Sequence, residues 1–224
     1  MSKNKKIMVV SPHPDDETLG AGGTITKLID QGYEVMILTV SGHLPPLYTR
    51  EDYEVTLKEA YEAYKVLGVS DSVFLEIPAT MIGEQPVHVL NSKVTSIMKE
   101  FEPNIVLCPF PDRHIDHRLI FESCMVATRP VGFGKKIEMV TAYETLSETH
   151  WNAPYVEPNF TQNLVVNIDK YLEKKIEALQ CFKSQISEKE GPRSLEAVKS
   201  LARFRGSQAG FEYGEAFYII RKTL

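Results

Sequence analysis

Apolar positions along the chain fall into two alternating periods. Short runs of aliphatic and β-branched residues, "KIMVV" (6–10), "EVMILTV" (34–40), "SVFLEI" (72–77) and "NIVLCPF" (104–110), show little polar alternation, as strands buried on both faces of a parallel sheet do. Between them the apolar residues take helical spacing, which predicts helices over about 19–31, 50–67 and 87–101. Gly32 and Gly68 follow the first two, and "EPNI" breaks the third, each acting as a helix stop signal. In the second half "KIEMVTAYE" and "NLVVNID" predict strands, and "KYLEKKIEALQCFKSQI" (170–186) predicts a strongly patterned helix. "SLEAVKSLARFRG" reads as a last helix closed by Gly206, ahead of a final strand "EAFYIIR". This order predicts an α/β fold, a Rossmann-like three-layer sandwich with a mostly parallel sheet. No repeat and no Gly-, Ser- or Pro-rich linker divides the chain, so residues 1–224 are expected to form one domain.

Composition narrows the functional classes. The 224 residues are 43% hydrophobic and 25% charged, enough for a full core. A net charge of -5 and a pI near 5.7 give no basic footprint, so nucleic acid is not an expected partner. Lys3, Lys5 and Lys6 read as a short solvated terminus. The apolar run "IMVV" is too short for a signal-peptide core and no later stretch reaches the length of a membrane span, so the expected location is cytoplasmic. Cys108, Cys124 and Cys181 are odd in number and widely spaced in apolar surroundings, which predicts reduced core thiols.

The stretch "SPHPDDETLGAGG" (11–23) sits at the carboxyl end of the first strand, the edge where open parallel sheets bind ligands. Asp15, Asp16 and Glu17 suit a first helical turn, whose dipole favours negative charge by roughly 0.3–1 kcal/mol. Helix capping does not explain His13 or the flanking prolines. Pro12 and Pro14 push Ser11 and His13 out of the α region, so the chain leaves the strand extended. His13 and Asp16, three apart on a stiff loop, can converge on one cation while Asp15 points at bound water. The competing reading is helix caps plus a phosphate-type loop built on Gly20, Gly22 and Gly23. The dinucleotide fingerprint, however, wants glycine where Ile25 stands, and the preceding carboxylates would repel a pyrophosphate. The glycines then serve close packing of helix on sheet.

A cation held by His13 and Asp16 alone would be weakly bound, so the metal reading requires a ligand from another strand end. "PFPDRHIDHRL" (109–119) follows the strand "NIVLC" and places His114, Asp116 and His117 at the same sheet edge. His114 and His117, three apart, share a face if a helix begins there. The plainer alternative is an exposed polar loop with a helix cap at Asp112 or Asp116.

Together "PHPDDE" and "HIDH" resemble the motifs A/P-H-P-D-D and H-x-D-H of the LmbE/PIG-L family of zinc-dependent N-acetylglucosaminyl deacetylases. "SQ" (184–185) and "EYGEAF" (212–217) carry the resemblance over most of the chain. It implies a hydrolase that removes the N-acetyl group from an N-acetylglucosamine-type sugar or sugar conjugate, releasing acetate and a free amine. It also implies His13, Asp16 and His117 as metal ligands and Asp15 as the base. His114 matches the residue that stabilises the oxyanion or protonates the leaving amine, with Asp116 orienting it. Zn2+ is the implied cofactor, although two histidines and a carboxylate with open positions suit Fe2+ as well. The implied partner is a small-molecule N-acetylated amino sugar, and members of the family often form homo-oligomers. One feature departs from the pattern: where members often carry a substrate-binding arginine ahead of "LG", this chain has Thr56, and Arg50 upstream is the candidate replacement. His43 and His150 receive no role, and the loop "SETHWN" is a candidate wall of the sugar pocket.

In such a site three protein ligands leave zinc a position for water, with a pKa lowered to about 7. Asp15 is expected to take the water's proton, and a protonated His114 is expected to stabilise the oxyanion. A non-catalytic binder of a sugar or acidic ligand would keep His13 and His117 but has no need of Asp15. A nucleotide-dependent transferase would need a glycine loop without preceding acids.

Overall fold

The computed structural model describes residues 5–153, 155–187 and 190–223. In chain order the elements are β1 (Lys6–Ser11), α1 (Asp16–Asp30), β2 (Glu34–Gly42), α2 (Arg50–Leu67), β3 (Asp71–Pro78), α3 (Val87–Phe101), β4 (Ile105–Pro109) and α4 (Ile115–Ala127). They continue with β5 (Met139–Tyr143), β6 (Leu164–Asn167), α5 (Leu172–Leu179), α6 (Leu195–Ser207) and β7 (Gly214–Lys222). The seven strands form one sheet in the order β3-β2-β1-β4-β5-β7-β6. The five strands from β3 to β5 pair in parallel, whereas β7 runs antiparallel to both β5 and β6.

Alternate residues of β1 feed opposite cores, which makes the sandwich three layers deep. Met8 and Val10 pack with Val94, Met98 and Ile120 of α3 and α4. Ile7 and Val9 pack with Ile25, Ala60, Ala63 and Phe182 on the other face. Strand order reverses between β1 and β4, so their carboxyl ends open a crevice at the topological switch point, where an α/β sheet binds its ligands. Both candidate motifs leave the sheet there.

Three expected boundaries shift. α1 starts at Asp16, ahead of its first apolar residue Leu19, because Asp16 and Glu17 are themselves buried. α5 ends at Leu179 instead of running to 186: Phe182 turns into the core, and the N–H and hydroxyl of Ser184 bind the Glu59 carboxylate at 2.9 and 2.6 Å. Gly206 lies inside α6 and does not close it; a Cβ there would meet the Tyr213 backbone at 2.8 Å, so the glycine admits the turn into β7. At the chain start Lys5 pairs with Glu138 and Lys6 with Glu34, while Lys3 lies outside the described residues. The three cysteines are free; Cys108 and Cys124 are buried as expected, whereas Cys181 is only half-buried. Among the described residues no helix is long and apolar enough to cross a membrane.

The packing of α1 is unusually close. A Cβ on Gly20 would sit 2.7 Å from the Glu144 carbonyl, so only glycine lets this turn approach the end of β5. One turn further, the buried Glu215 carboxylate of β7 accepts from the N–H groups of Gly23 and Thr24 at 2.9 and 2.7 Å. Its counter-charge is Lys175 of α5 at 2.7 Å, whose ammonium also donates to the Leu19 carbonyl at 2.6 Å. Removing one member of a buried pair leaves the other uncompensated. Glu215→Ala or Lys175→Met is therefore expected to lower unfolding free energy by about 3–5 kcal/mol in urea titrations. The double variant is expected to lose less than the sum.

Candidate metal and catalytic site

β1 delivers Ser11 into a loop that the two prolines keep extended, and the Pro12 carbonyl accepts from the Ser41 N–H of neighbouring β2 at 2.9 Å. The Ser11 hydroxyl donates to the buried Glu17 carboxylate at 2.7 Å, which closes the loop on the first turn of α1. Asp15, at the N-cap, adopts φ 128° and makes no capping bond with its side chain. Such a backbone costs a non-glycine residue of order 1–3 kcal/mol and marks a position over-determined by its surroundings. The capping explanation of the acids therefore fails at Asp15.

His13, Asp16 and His117 come together. His13 Nδ1 lies 3.1 Å from Asp16 Oδ2, and His117 Nε2 lies 3.4 Å from the same oxygen. One donor atom from each of the three falls within 4.8 Å of the others. Both Asp15 oxygens, Asp16 Oδ1 and His117 Nε2 are buried without hydrogen-bond partners. Four buried polar atoms without hydrogen-bond partners on three residues of this site, each costing about 1–3 kcal/mol if left unmade, fit a cation and its water. Two imidazole nitrogens and one carboxylate are a donor set for zinc or iron that leaves positions open.

A second layer of carboxylates aims the histidines. Asp112 accepts from His117 Nδ1–H at 3.0 Å and from the Thr149 hydroxyl at 2.8 Å, which leaves His117 Nε2 as the candidate metal donor. Its other oxygen accepts the His114 N–H at 3.0 Å, so Asp112 is both a local cap and an orienter of His117. The Asp116 carboxylate binds His13 Nε2 at 2.9 Å and the Thr80 N–H at 2.7 Å. This differs from the expected pairing with His114, which Asp116 reaches through its backbone: the Asp116 N–H donates to His114 Nδ1 at 3.2 Å. That bond makes Nδ1 an acceptor and leaves the His114 proton on Nε2.

Burial disfavours charge on His13, but Asp116 and Asp16 outweigh it and raise its pKa to about 9. Burial acts likewise on His117, where Asp16 and Asp112 prevail and raise the value to about 10. Burial, with the charges of His13 and His117 beside it, drives His114 down to about 4. The expected protonated His114 is thus replaced by a neutral imidazole with an Nε2–H donor. Burial raises Asp15 to about 8 against the pull of Arg193, whereas His117 and His13 hold Asp16 well below the usual carboxylate range despite burial.

Arg193, which carried no signal in the sequence, faces Asp15 with Nε 3.7 Å from Oδ2. Ser147 and Gln185 hold its guanidinium at 3.2 and 3.3 Å, which gives the "SQ" pair a role. Arg50 is not brought to the cluster: it pairs with Glu54 and Glu76 and lies over the Tyr53 ring. His43 stacks on Tyr48 near Gln185, and burial together with the cations His13 and Arg193 lowers its pKa. His150 pairs at 2.9 Å with buried Glu144, itself clamped by Arg205 at 2.8 and 2.6 Å.

Known proteins share this architecture. The chain is 27% identical over 238 residues to diacetylchitobiose deacetylase of Thermococcus kodakarensis, covering 96% of this chain and 83% of that protein. It is 26% identical over 200 residues to the probable N-acetyl-alpha-D-glucosaminyl L-malate deacetylase 2 of Bacillus anthracis, covering 84% and 85%. The structure of N,N'-diacetylchitobiose deacetylase from Pyrococcus horikoshii superposes with a TM-score of 0.76 at 26% identity, covering 97% of this chain and 84% of that one. Residues 8–128, the span that holds both histidine motifs, match PIG-L, the GlcNAc-PI de-N-acetylase family, and the chain belongs to that family.

Proposed function

We propose that this chain, acting as one domain, is a zinc-dependent N-deacetylase of an N-acetylglucosamine-type sugar or sugar conjugate. The observation that carries the reading is Asp15: strained, buried, without a hydrogen-bond partner although Arg193 lies 3.7 Å away, and next in sequence to a candidate metal donor. A binder has no use for such a group, but a hydrolase needs a base at that point. The names of the relatives supply the acyl group and the sugar: both act on acetylated glucosamine derivatives.

His13, Asp16 and His117 would hold the metal. When bound, zinc supplies Lewis-acid polarisation and acidifies a water to a pKa of about 7. Asp15 accepts the proton of the attacking water, and a cation on the adjacent Asp16 favours its ionised form. The His114 Nε2–H donates to the acyl oxygen as negative charge develops there, without first needing to be charged. Asp15 then returns its proton to the sugar nitrogen, which departs as the free amine while acetate is released. Asp112 and Asp116 keep the two ligand imidazoles in register throughout.

Acetate release from a panel of N-acetylglucosamine derivatives tests the reading. Asp15→Asn is expected to keep the metal and lose about 10²–10⁴-fold in turnover, whereas His117→Ala loses both. A near-normal rate for Asp15→Asn would remove it as the base. Metal analysis of protein purified without oxygen distinguishes zinc from Fe2+.

Metal binding must release the protons held by His13 near pH 9 and His117 near pH 10. Zinc affinity measured by competition with a chelator is therefore expected to climb with pH up to about 9, by about 100-fold per unit if both protons leave. The raised values stabilise the metal-free fold fully below the unfolded histidine pKa near 6.5, and that stability is lost as pH rises through the folded values. The difference in Tm between zinc-loaded and metal-free protein should accordingly widen from pH 6.5 upward, and a constant gap would contradict the assignment of these two histidines as ligands.

A further inference from the structure

Trp151 is the single tryptophan of the chain, and it is 57% exposed. A large exposed aromatic on a loose loop would carry no message, but this one sits on a pinned turn. Residues Thr149–Trp151 form a short 3-10 helix in which the two residues before the indole are tied down. The Thr149 hydroxyl donates to Asp112 at 2.8 Å, the same carboxylate that orients His117 at 3.0 Å. His150 pairs with Glu144, which Arg205 holds from below. Trp151 itself lies against the Arg113 guanidinium at 5.4 Å, and Arg113 is the residue before His114. Glu148, on the same turn, completes the brace by pairing with Arg113 at 2.9 Å.

The indole is carried two residues after Thr149, whose hydroxyl binds Asp112, with at most about 7 Å between the two Cα atoms. It is held on one side by a cation and open on the other. A preformed aromatic face loses little conformational freedom on binding, and an indole offers both an apolar plane and an N–H. The apolar C–H face of a pyranose ring matches such a plane. The N-acetylated ring being cleaved must occupy the position over Asp15 and His114, so a ring on Trp151 is the neighbouring one.

We propose that Trp151 is a stacking platform for a second sugar ring, so that the preferred substrate is a di- or oligosaccharide with the reacting N-acetylglucosamine at its end. This rests on the deacetylase reading above. Steady-state kinetics of acetate release from N-acetylglucosamine and from N,N'-diacetylchitobiose, on the zinc-loaded protein and its Trp151→Ala and Trp151→Phe variants, test it. The wild type is expected to favour the disaccharide in kcat/KM. Trp151→Ala should lose about tenfold on the disaccharide, the order of one aromatic stacking contact, with the loss confined to that substrate, and Trp151→Phe should recover most of it. Equal loss on both sugars, or no loss on either, overturns the proposal.

A lone tryptophan also permits a readout without turnover. In Asp15→Asn, diacetylchitobiose is expected to shift the emission saturably and N-acetylglucosamine to leave it unchanged at the same concentration. Unchanged emission with both overturns the platform. If no sugar is deacetylated by the wild type but the emission still responds to the disaccharide, the platform stands and the deacetylase reading falls. A drop in sedimenting mass of Trp151→Ala relative to wild type would assign the ring to contact with a second copy of the chain and overturn the sugar proposal.

Discussion

Asp16 is a carboxylate with no exposure to solvent, and the carboxyl edge of the sheet is organised around keeping it charged. An isolated buried anion would protonate or unfold its surroundings, so it must be met by positive charge from fixed directions. His13 comes from the loop that leaves β1 and His117 from the first turn of α4, beyond β4. Two separate chain segments are thus drawn to one atom. Asp112 and Asp116 stand behind the histidines, Asp112 on His117 Nδ1 and Asp116 on His13 Nε2. The arrangement is buried and charge-rich, and its donor set suits a cation.

Helix α1 supplies the other constraint, because Asp16 can sit in the cluster only if the helix lies close against β5. Glycine at position 20 permits the approach, and the Glu215–Lys175 pair clamps the helix by supplying partners to its own backbone groups. Packing and chemistry are therefore not separable at this edge: a shift of the helix outward would displace a ligand.

Much of this was legible in the sequence. The limits of α2 and α3 were readable because apolar spacing and stop signals coincide, and at α2 a Thr49–Asp52 capping box and a left-handed Gly68 reinforce them. The cluster was readable because its members occur in two compact motifs at strand ends. Periodicity missed the first turn of α1, where the buried residues are acids, and overran α5, where Ser184 leaves the helix to satisfy Glu59. It also missed Arg193, which reaches Asp15 from a polar loop nearly the length of the chain away; Arg50, offered by the resemblance, lies beside Glu54 and Glu76. The tautomer of His114 depends on one backbone N–H, and no pattern of residue types encodes that.

The position of β7 has a consequence for how the molecule comes into being. It follows the other described strands in sequence, yet it lies between β5 and β6 and carries the carboxylate that braces α1. All three candidate metal donors are made by residue 117, but the helix bearing one of them lacks the Glu215 carboxylate until about a hundred residues later. Domains form as units once their sequence is available. A growing chain would therefore hold its histidines and acids without the geometry to fix an ion, and metal capture becomes an event that waits for β7 to enter the sheet.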